Sequence, residues 1–315
     1  MRKPAVGTVV VAAAISVLAG GQELALDQIE RSPRLLTECV AEAQRFAESW
    51  RVTEEELKAT PARMAEQSTR TKPDIEISAE ALPRKMALFL LVGQSNMAGR
   101  GEVAEPTSAP IERCYKLGRN NTWLMANTPI HFDRDSAGYG LANRFVEKYL
   151  AEHPGETVGL IPCAVGGSNS ATWSPEPGTG IVGANFRNAV YRGKIAAQSG
   201  KIVAILWHQG ESDRDRCASI GGDYYVARLK AIAEAFRRQL SIPDAPFVIG
   251  EIGKLPKGHY SVMNPLIRKA ADGIENCVCV PAEDLTGHLP DGAHFDTAAY
   301  KTLGERYYEA WKKLN

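Results

Sequence analysis

An apolar run, Met86 to Val92, is followed at once by Gly93-Gln94-Ser95-Asn96-Met97-Ala98-Gly99-Arg100-Gly101. A serine at a strand end, flanked by glycines that let the chain turn sharply, presents its hydroxyl above a sheet with backbone N–H groups facing the same space. The same residues also suit an ordinary polar turn, and Met97 breaks the Gly-x-Ser-x-Gly pattern of the α/β-hydrolase elbow. A second polar cluster, His208-Gln209-Gly210-Glu211-Ser212-Asp213, follows another apolar run. Its Gln209 has an amide that could donate to a developing oxyanion. The run ending in Pro162-Cys163-Ala164-Val165 leads into Gly166-Gly167-Ser168, where a glycine pair allows a backbone N–H to approach the same point. Near the C-terminus, Asp291 and His294 share one short loop, so the carboxylate can hold imidazole Nδ1 while Nε2 faces outward. His288, Asp291 and His294 are also spaced by three, which admits a metal site completed by His208 or Glu211. No His-Glu-x-x-His or Cys-x-x-Cys spacing supports that alternative.

These clusters need a scaffold. Runs at 86–92, 157–164, 201–207, 246–252 and 277–281 are short, apolar on both faces and bounded by Gly or Pro, the pattern of covered parallel strands. Amphipathic helical patterns lie between them at 141–151, 185–198, 223–240 and 260–271, and 297–314 closes the chain. The alternation predicts a doubly wound three-layer αβα sandwich with a five-stranded parallel sheet, flavodoxin-like in plan. In such sheets ligands sit at the carboxyl ends of the strands, where all four clusters fall.

Ahead of this domain, expected at 85–315, three segments read differently. Residues 1–20 carry Arg2 and Lys3, an uncharged stretch from Ala5 to Ala19 and small residues at Val17-Leu18-Ala19, the makeup of an export signal. An uncleaved membrane anchor is the alternative, although the stretch is short for a spanning helix. Residues 21–66 show helical spacing, as in Leu35, Leu36, Val40, Ala43, Phe46 and Trp50, and predict an N-terminal helical extension. Residues 67–84, with Pro73 and Pro83, read as a linker. The 315-residue chain has 37 Lys+Arg against 37 Asp+Glu, and cleavage after residue 20 would leave 35 against 37. That balance offers no field to gather phosphate backbones, so nucleic acid is not an expected partner. Export would make the six cysteines eligible for one or two bridges, but Cys163, Cys277 and Cys279 lie in apolar runs that suit buried thiols.

Taken in order, Gly93 to Gly101, Trp123 with Pro129-Ile130-His131, Pro162 to Gly167 with Trp173, Trp207 to Asp213, Asp291 to Asp296, and Leu303-Gly304-Glu305-Arg306-Tyr307 resemble a known family. It is the SGNH-type carbohydrate esterases of the sialate O-acetylesterase and family 6 acetylxylan esterase group, and the likeness runs from about Ala87 to Trp311. The resemblance implies Ser95 as nucleophile, His294 as general base and Asp291 as its orienting acid. It also implies an oxyanion hole from the N–H of Ser95, that of Gly167 and the Gln209 side chain. Glu211 is the alternative acid, or else orders the Gln209 loop or binds a sugar hydroxyl. Gln94, Asn96, Trp173 and His208 are the expected substrate contacts. The implied activity is removal of O-acetyl groups from an oligo- or polysaccharide through an acyl-enzyme, with no cofactor and no metal. Ser168 stands where the group usually has Thr, and residues before 67 have no counterpart in it. Sialic acid as the acetylated sugar, or a non-catalytic carbohydrate binder stacking sugars on Trp123 and Trp173, are the competing readings.

Overall fold

A strand apolar on both faces must be covered on both, and the first strand shows how. In the computed structural model, which describes residues 77, 81–83, 85–103, 109–175, 183–258 and 260–314, β1 (Met86–Gly93) sends Leu88, Leu90 and Val92 to one face and Phe89 and Leu91 to the other. It lies at the centre of a sheet with β4 (Val158–Pro162) on one side and β5 (Gly200–His208) on the other, both parallel to it. β6 (Phe247–Gly250) and β7 (Cys277–Val280) extend the sheet beyond β5. The expected signal, the N-terminal helices and most of the linker lie outside the described residues.

Among the described residues the sheet has seven strands, not five, in the order β3-β2-β4-β1-β5-β6-β7. The additional pair is β2 (Cys114–Leu117), parallel to β4, and β3 (Trp123–Met125), antiparallel to β2 at the edge. These strands span four and three residues, and Lys116 interrupts the apolar pattern. Its ammonium is buried because Asn127 Oδ1 at 2.7 Å and the Pro129 carbonyl at 2.9 Å accept from it.

Helices cover both faces. On the Phe89 face, α2 (Leu141–Glu152) packs beside the closing helix α7 (Thr297–Lys312), and Phe89 meets Phe145, Tyr149 and Trp311 edge-on. On the Leu88 face lie α3 (Ala184–Ala196), α5 (Asp223–Leu240) and α6 (Tyr260–Asp272), with Phe186 against Phe236. Each fully buried large apolar side chain contributes roughly 1.5–3 kcal/mol, which makes the sheet a stiff platform for the loops above it. Two short helices belong to those loops: α1 (Ser95–Ala98) follows β1 and α4 (Arg214–Ile220) follows β5. Among the described residues no helix is long and apolar enough to cross a membrane, and Cys114, Cys163, Cys217, Cys277 and Cys279 are free thiols.

Candidate active site

The ends of β1 and β5 are pinned together. Gly93 has φ +135°, and a Cβ there would overlap the His208 carbonyl oxygen; one residue on, the Gln94 N–H donates to that same oxygen at 2.9 Å. The chain then turns into α1, and Ser95 is left 7% exposed at its first position. Among the described residues neither the N–H of Ser95 nor that of Gly167 has an acceptor, so both are available to an oxygen outside the protein.

His294 reaches this place from the loop between β7 and α7. Asp296 caps α7 by accepting from the Ala299 N–H at 2.8 Å, which fixes where the loop must end. Within it, His294 Nδ1–H donates to Asp291 Oδ2 at 2.6 Å, while Asp291 Oδ1 accepts from the amides of Ala293 and His294 at 2.9 and 3.1 Å. Burial pushes the Asp291 carboxyl up, but the bonds from the His294 ring and from these amides outweigh it and hold the acid below its ordinary value. The imidazole is therefore fixed as the tautomer whose Nε2 can accept a proton.

Asn96 ties the two loops together. Its Nδ2 donates to the Ala293 carbonyl at 3.2 Å, and its Oδ1 accepts from the Phe295 N–H at 3.3 Å, so the neighbour of Ser95 grips the residues on both sides of His294. Tyr300 Oη donates to the same Oδ1 at 2.8 Å, and Nδ2 also donates to Glu211 Oε1 at 2.6 Å. Asn96 is 1% exposed with its bonds made inside the protein, which places it as a brace instead of a sugar contact. Glu211 is bonded to Asn96, while Asp291 is bonded to His294.

The turn after β4 is held from beneath. Arg100 and Asp133 form a buried bidentate pair at 2.6 and 3.2 Å, and Asp133 Oδ2 also accepts the Gly166 N–H at 2.8 Å. Arg134 Nη2 donates to the Gly166 carbonyl at 3.0 Å. A Cβ on Gly166 would lie 2.5 Å from Arg100 Nη2, and Gly167 follows at φ +76°, so the pair of glycines is required to bring the Gly167 N–H over this support. Sequence spacing did not reveal Arg100, Asp133 and Arg134; the available signal was an Arg between the glycines of the serine motif and an Asp-Arg pair in a Gly-rich loop.

Five expected site residues turn their polar groups or ring faces inward. Trp173 is fully buried, donates from Nε1 to Ser168 Oγ at 3.0 Å and packs edge-on against Trp207, so it is core and offers no stacking face. His208 is also fully buried, with Nδ1–H directed at Tyr307 Oη at 3.1 Å, and burial lowers the pKa of its imidazole. Gln209 is enclosed too, and its Nε2 donates to Asp213 Oδ2 at 2.7 Å, with Ser168 O and Gln94 Oε1 at 3.3 Å. Those N–H groups are engaged within the protein. Gln94 likewise uses Oε1 inward, accepting from Gln209 and from the Ser212 N–H at 3.3 Å. Asp213 anchors the network by also accepting from Ser170 N and Oγ at 2.9 and 2.6 Å; burial pushes its carboxyl up against these bonds and the nearby Arg228 charge. Trp123, with Nε1 donating to Ser199 Oγ at 3.1 Å, is buried under the sheet edge.

His288 Nδ1–H donates to the Leu289 carbonyl at 2.7 Å, and among the described residues no three His, Cys, Asp or Glu side chains gather closely enough to hold a metal ion.

A model of the carbohydrate esterase, sialic acid-specific acetylesterase family matches residues 85–313. A probable carbohydrate esterase of Arabidopsis thaliana is 29% identical over 246 residues, covering 71% of this chain and 89% of that protein. The crystal structure of the Arabidopsis protein superposes with a TM-score of 0.61 at 27% identity, over 73% of this chain and 98% of that one. NanS shares the fold at a TM-score of 0.54 and 18% identity, over 74% and 98% of the two chains. A carbohydrate acetylesterase from Xanthomonas citri does so at 0.51 and 15%, over 72% and 56%. With a serine, an Asp-held histidine and two free amides on loops above a doubly wound sheet, and with the family match spanning that whole domain, the chain belongs to the carbohydrate esterase, sialic acid-specific acetylesterase family and is a carboxylic ester hydrolase.

Proposed function

We propose that the chain removes O-acetyl groups from an acetylated oligo- or polysaccharide by a serine mechanism. Ser95 Oγ attacks the acetyl carbonyl as His294 Nε2 takes its proton, and Asp291 stabilises the imidazolium that results. The negative oxygen of the tetrahedral intermediate is met by the N–H groups of Ser95 and Gly167. Collapse returns the proton from His294 to the departing sugar oxygen, leaving acetyl on Ser95. Water, deprotonated by the same imidazole, then attacks the acyl-enzyme and releases acetate.

The observation that supports this reading best is the grip of Asn96 on both neighbours of His294, because it ties the serine loop to the loop that carries His294, two segments distant in sequence. The structure records no hydrogen bond between Ser95 and His294; such contacts commonly close when substrate binds. Export to the periplasm or medium, where polysaccharides are met, fits the expected signal segment. Ser95→Ala should abolish acetate release from acetylated xylan and from O-acetylated sialic acid alike, with a loss on the order of 10⁴-fold or more, while the folded protein keeps its melting temperature. Retention of a tenth of the activity would sink the mechanism, and the faster of the two substrates would name the sugar class.

A further inference from the structure

Beside the oxyanion turn, where Val165 passes into Gly166, a cavity of about 280 Å³ opens between the β2–β3 turn, the loop at 131–133 and the start of α3. That is near the lower end of the roughly 300–1,000 Å³ of small-molecule pockets, enough for one small polar group or sugar unit. It is lined by Arg119, Asn121, Phe132, Asn185, Asn188 and Arg192 among others. Two guanidinium groups stack on Phe132, Arg119 at 5.6 Å and Arg192 at 5.2 Å from the ring centroid. Asn185, Asn188 and Arg192 share one face of α3 through their spacing of three and four.

The charge here is not balanced. Arg192 is 4% exposed, and among the described residues it donates to neutral oxygens, those of Leu117, Gly118 and Asn121, with no hydrogen-bond partner at Nε. Arg119, half-buried, has no carboxylate partner among the described residues. The carboxylate lining the cavity, Asp133, is already committed to Arg100 and the Gly166 N–H. His131, also on the wall, is held down to about 4, by burial above all, and so adds no charge at neutral pH. A buried guanidinium without a counter-ion is costly, and a carboxylate entering the cavity would relieve that cost while Arg119 offers it a planar fork of donors.

We infer that this cavity is a carboxylate-binding subsite, in which Arg119, backed by the charge of Arg192, receives an acidic group carried by the glycan whose acetyl ester lies at Ser95. The inference rests on the esterase reading above. It makes acidic acetylated glycans the preferred substrates. It also couples the two sites physically, because Asp133 lines the cavity and supports Gly166.

The test uses the full chain and two independent readouts. In calorimetric titration, potassium glucuronate should bind and glucose should not, and Arg119→Gln should weaken glucuronate roughly tenfold or more, with Arg119→Lys between. In turnover, an acetylated xylo-oligosaccharide bearing a glucuronate branch should show a lower KM than the unbranched one, a ratio that Arg119→Gln collapses while hydrolysis of p-nitrophenyl acetate stays unchanged. Absence of glucuronate binding, or binding that Arg119→Gln leaves intact, overturns the site. Binding with equal KM for the two oligosaccharides overturns the substrate subsite and assigns the cavity to free carboxylates. If neither p-nitrophenyl acetate nor the oligosaccharides are hydrolysed, the esterase reading fails by itself, and the titration still decides the cavity.

Discussion

Replacing Asn96 by alanine should damage stability and catalysis together, and the size of each effect follows from its partners. The side chain serves Glu211 Oε1, the Ala293 carbonyl, the Phe295 N–H and the Tyr300 hydroxyl, all in or near the buried floor of the site. Each neutral bond contributes about 1 kcal/mol and the one to a carboxylate about 1.5–3 kcal/mol. Glu211 suffers most, because its Oε2 already has no partner among the described residues. The total, about 4–6 kcal/mol, corresponds to a fall in melting temperature on the order of 10 °C or more. In the protein that remains folded, His294 loses the grip on both its neighbours, and a misplacement of about 1 Å costs on the order of 10²-fold in rate. Thermal melts with p-nitrophenyl acetate kinetics at 15 °C separate the two effects. Glu211→Gln, alone and combined with Asn96→Ala, closes a double-mutant cycle in which a coupling above about 1 kcal/mol is expected. Additive changes, or an Asn96→Ala protein within threefold of wild-type kcat/KM, would refute the bracing role.

Three further outcomes follow. Asp291→Asn should lower kcat by roughly 10³- to 10⁴-fold, far more than Glu211→Gln at matched stability, since the Asp291 carboxylate is the one bonded to His294; the reverse order in steady-state kinetics would exchange their roles. Asp133→Asn should destabilise by about 3–5 kcal/mol, because it leaves buried Arg100 without a counter-charge, and should slow the chemical step through the Gly166 turn in single-turnover assays; unchanged urea denaturation would contradict this. His131 is a buried base held down to about 4, against about 6.5 in an unfolded chain, so its contribution to stability is complete above pH 6.5 and drains away as the pH falls toward 4. Denaturant titrations should therefore show a loss of about 2 kcal/mol between pH 6.5 and 5 that His131→Gln abolishes.

Strands β1, β4, β5, β6 and β7 were legible because each reads as a short run dominated by apolar residues, as in Met86 to Val92. The pair β2 and β3 was not, since β3 spans only three residues and Lys116 breaks the apolar run of β2, reading as exposed until its acceptors on Asn127 and Pro129 are placed. Within the site, the closeness of Asp291 and His294 was accessible from their spacing, because partners on one short loop need no tertiary information. The inward placement of Gln209 and Trp173 was not legible for the opposite reason. A glutamine in a polar cluster and a tryptophan after a Gly-Ser stretch suggest an open surface, yet Asp213 and Trp207, reached only through the packing, draw both inward. The brace of Asn96 on residues near position 294 is a long-range fact that no local pattern encodes.

The position of β1 in the middle of the sheet has a consequence for biosynthesis. This strand emerges first among the described elements, yet its β4 and β5 neighbours are made much later, and Tyr300, which helps hold the serine loop, lies 204 positions beyond Asn96. At about 5–20 residues per second, that stretch occupies a ribosome for on the order of 10–40 s, in the earlier part of which β1 is without its sheet partners and throughout which the Ser95 loop lacks the segment that carries Tyr300. Contacts of such sequence separation close slowly and late. The nascent chain is thus an unfinished hydrolase with an aggregation-prone centre, and catalytic competence arrives only when the last helix docks.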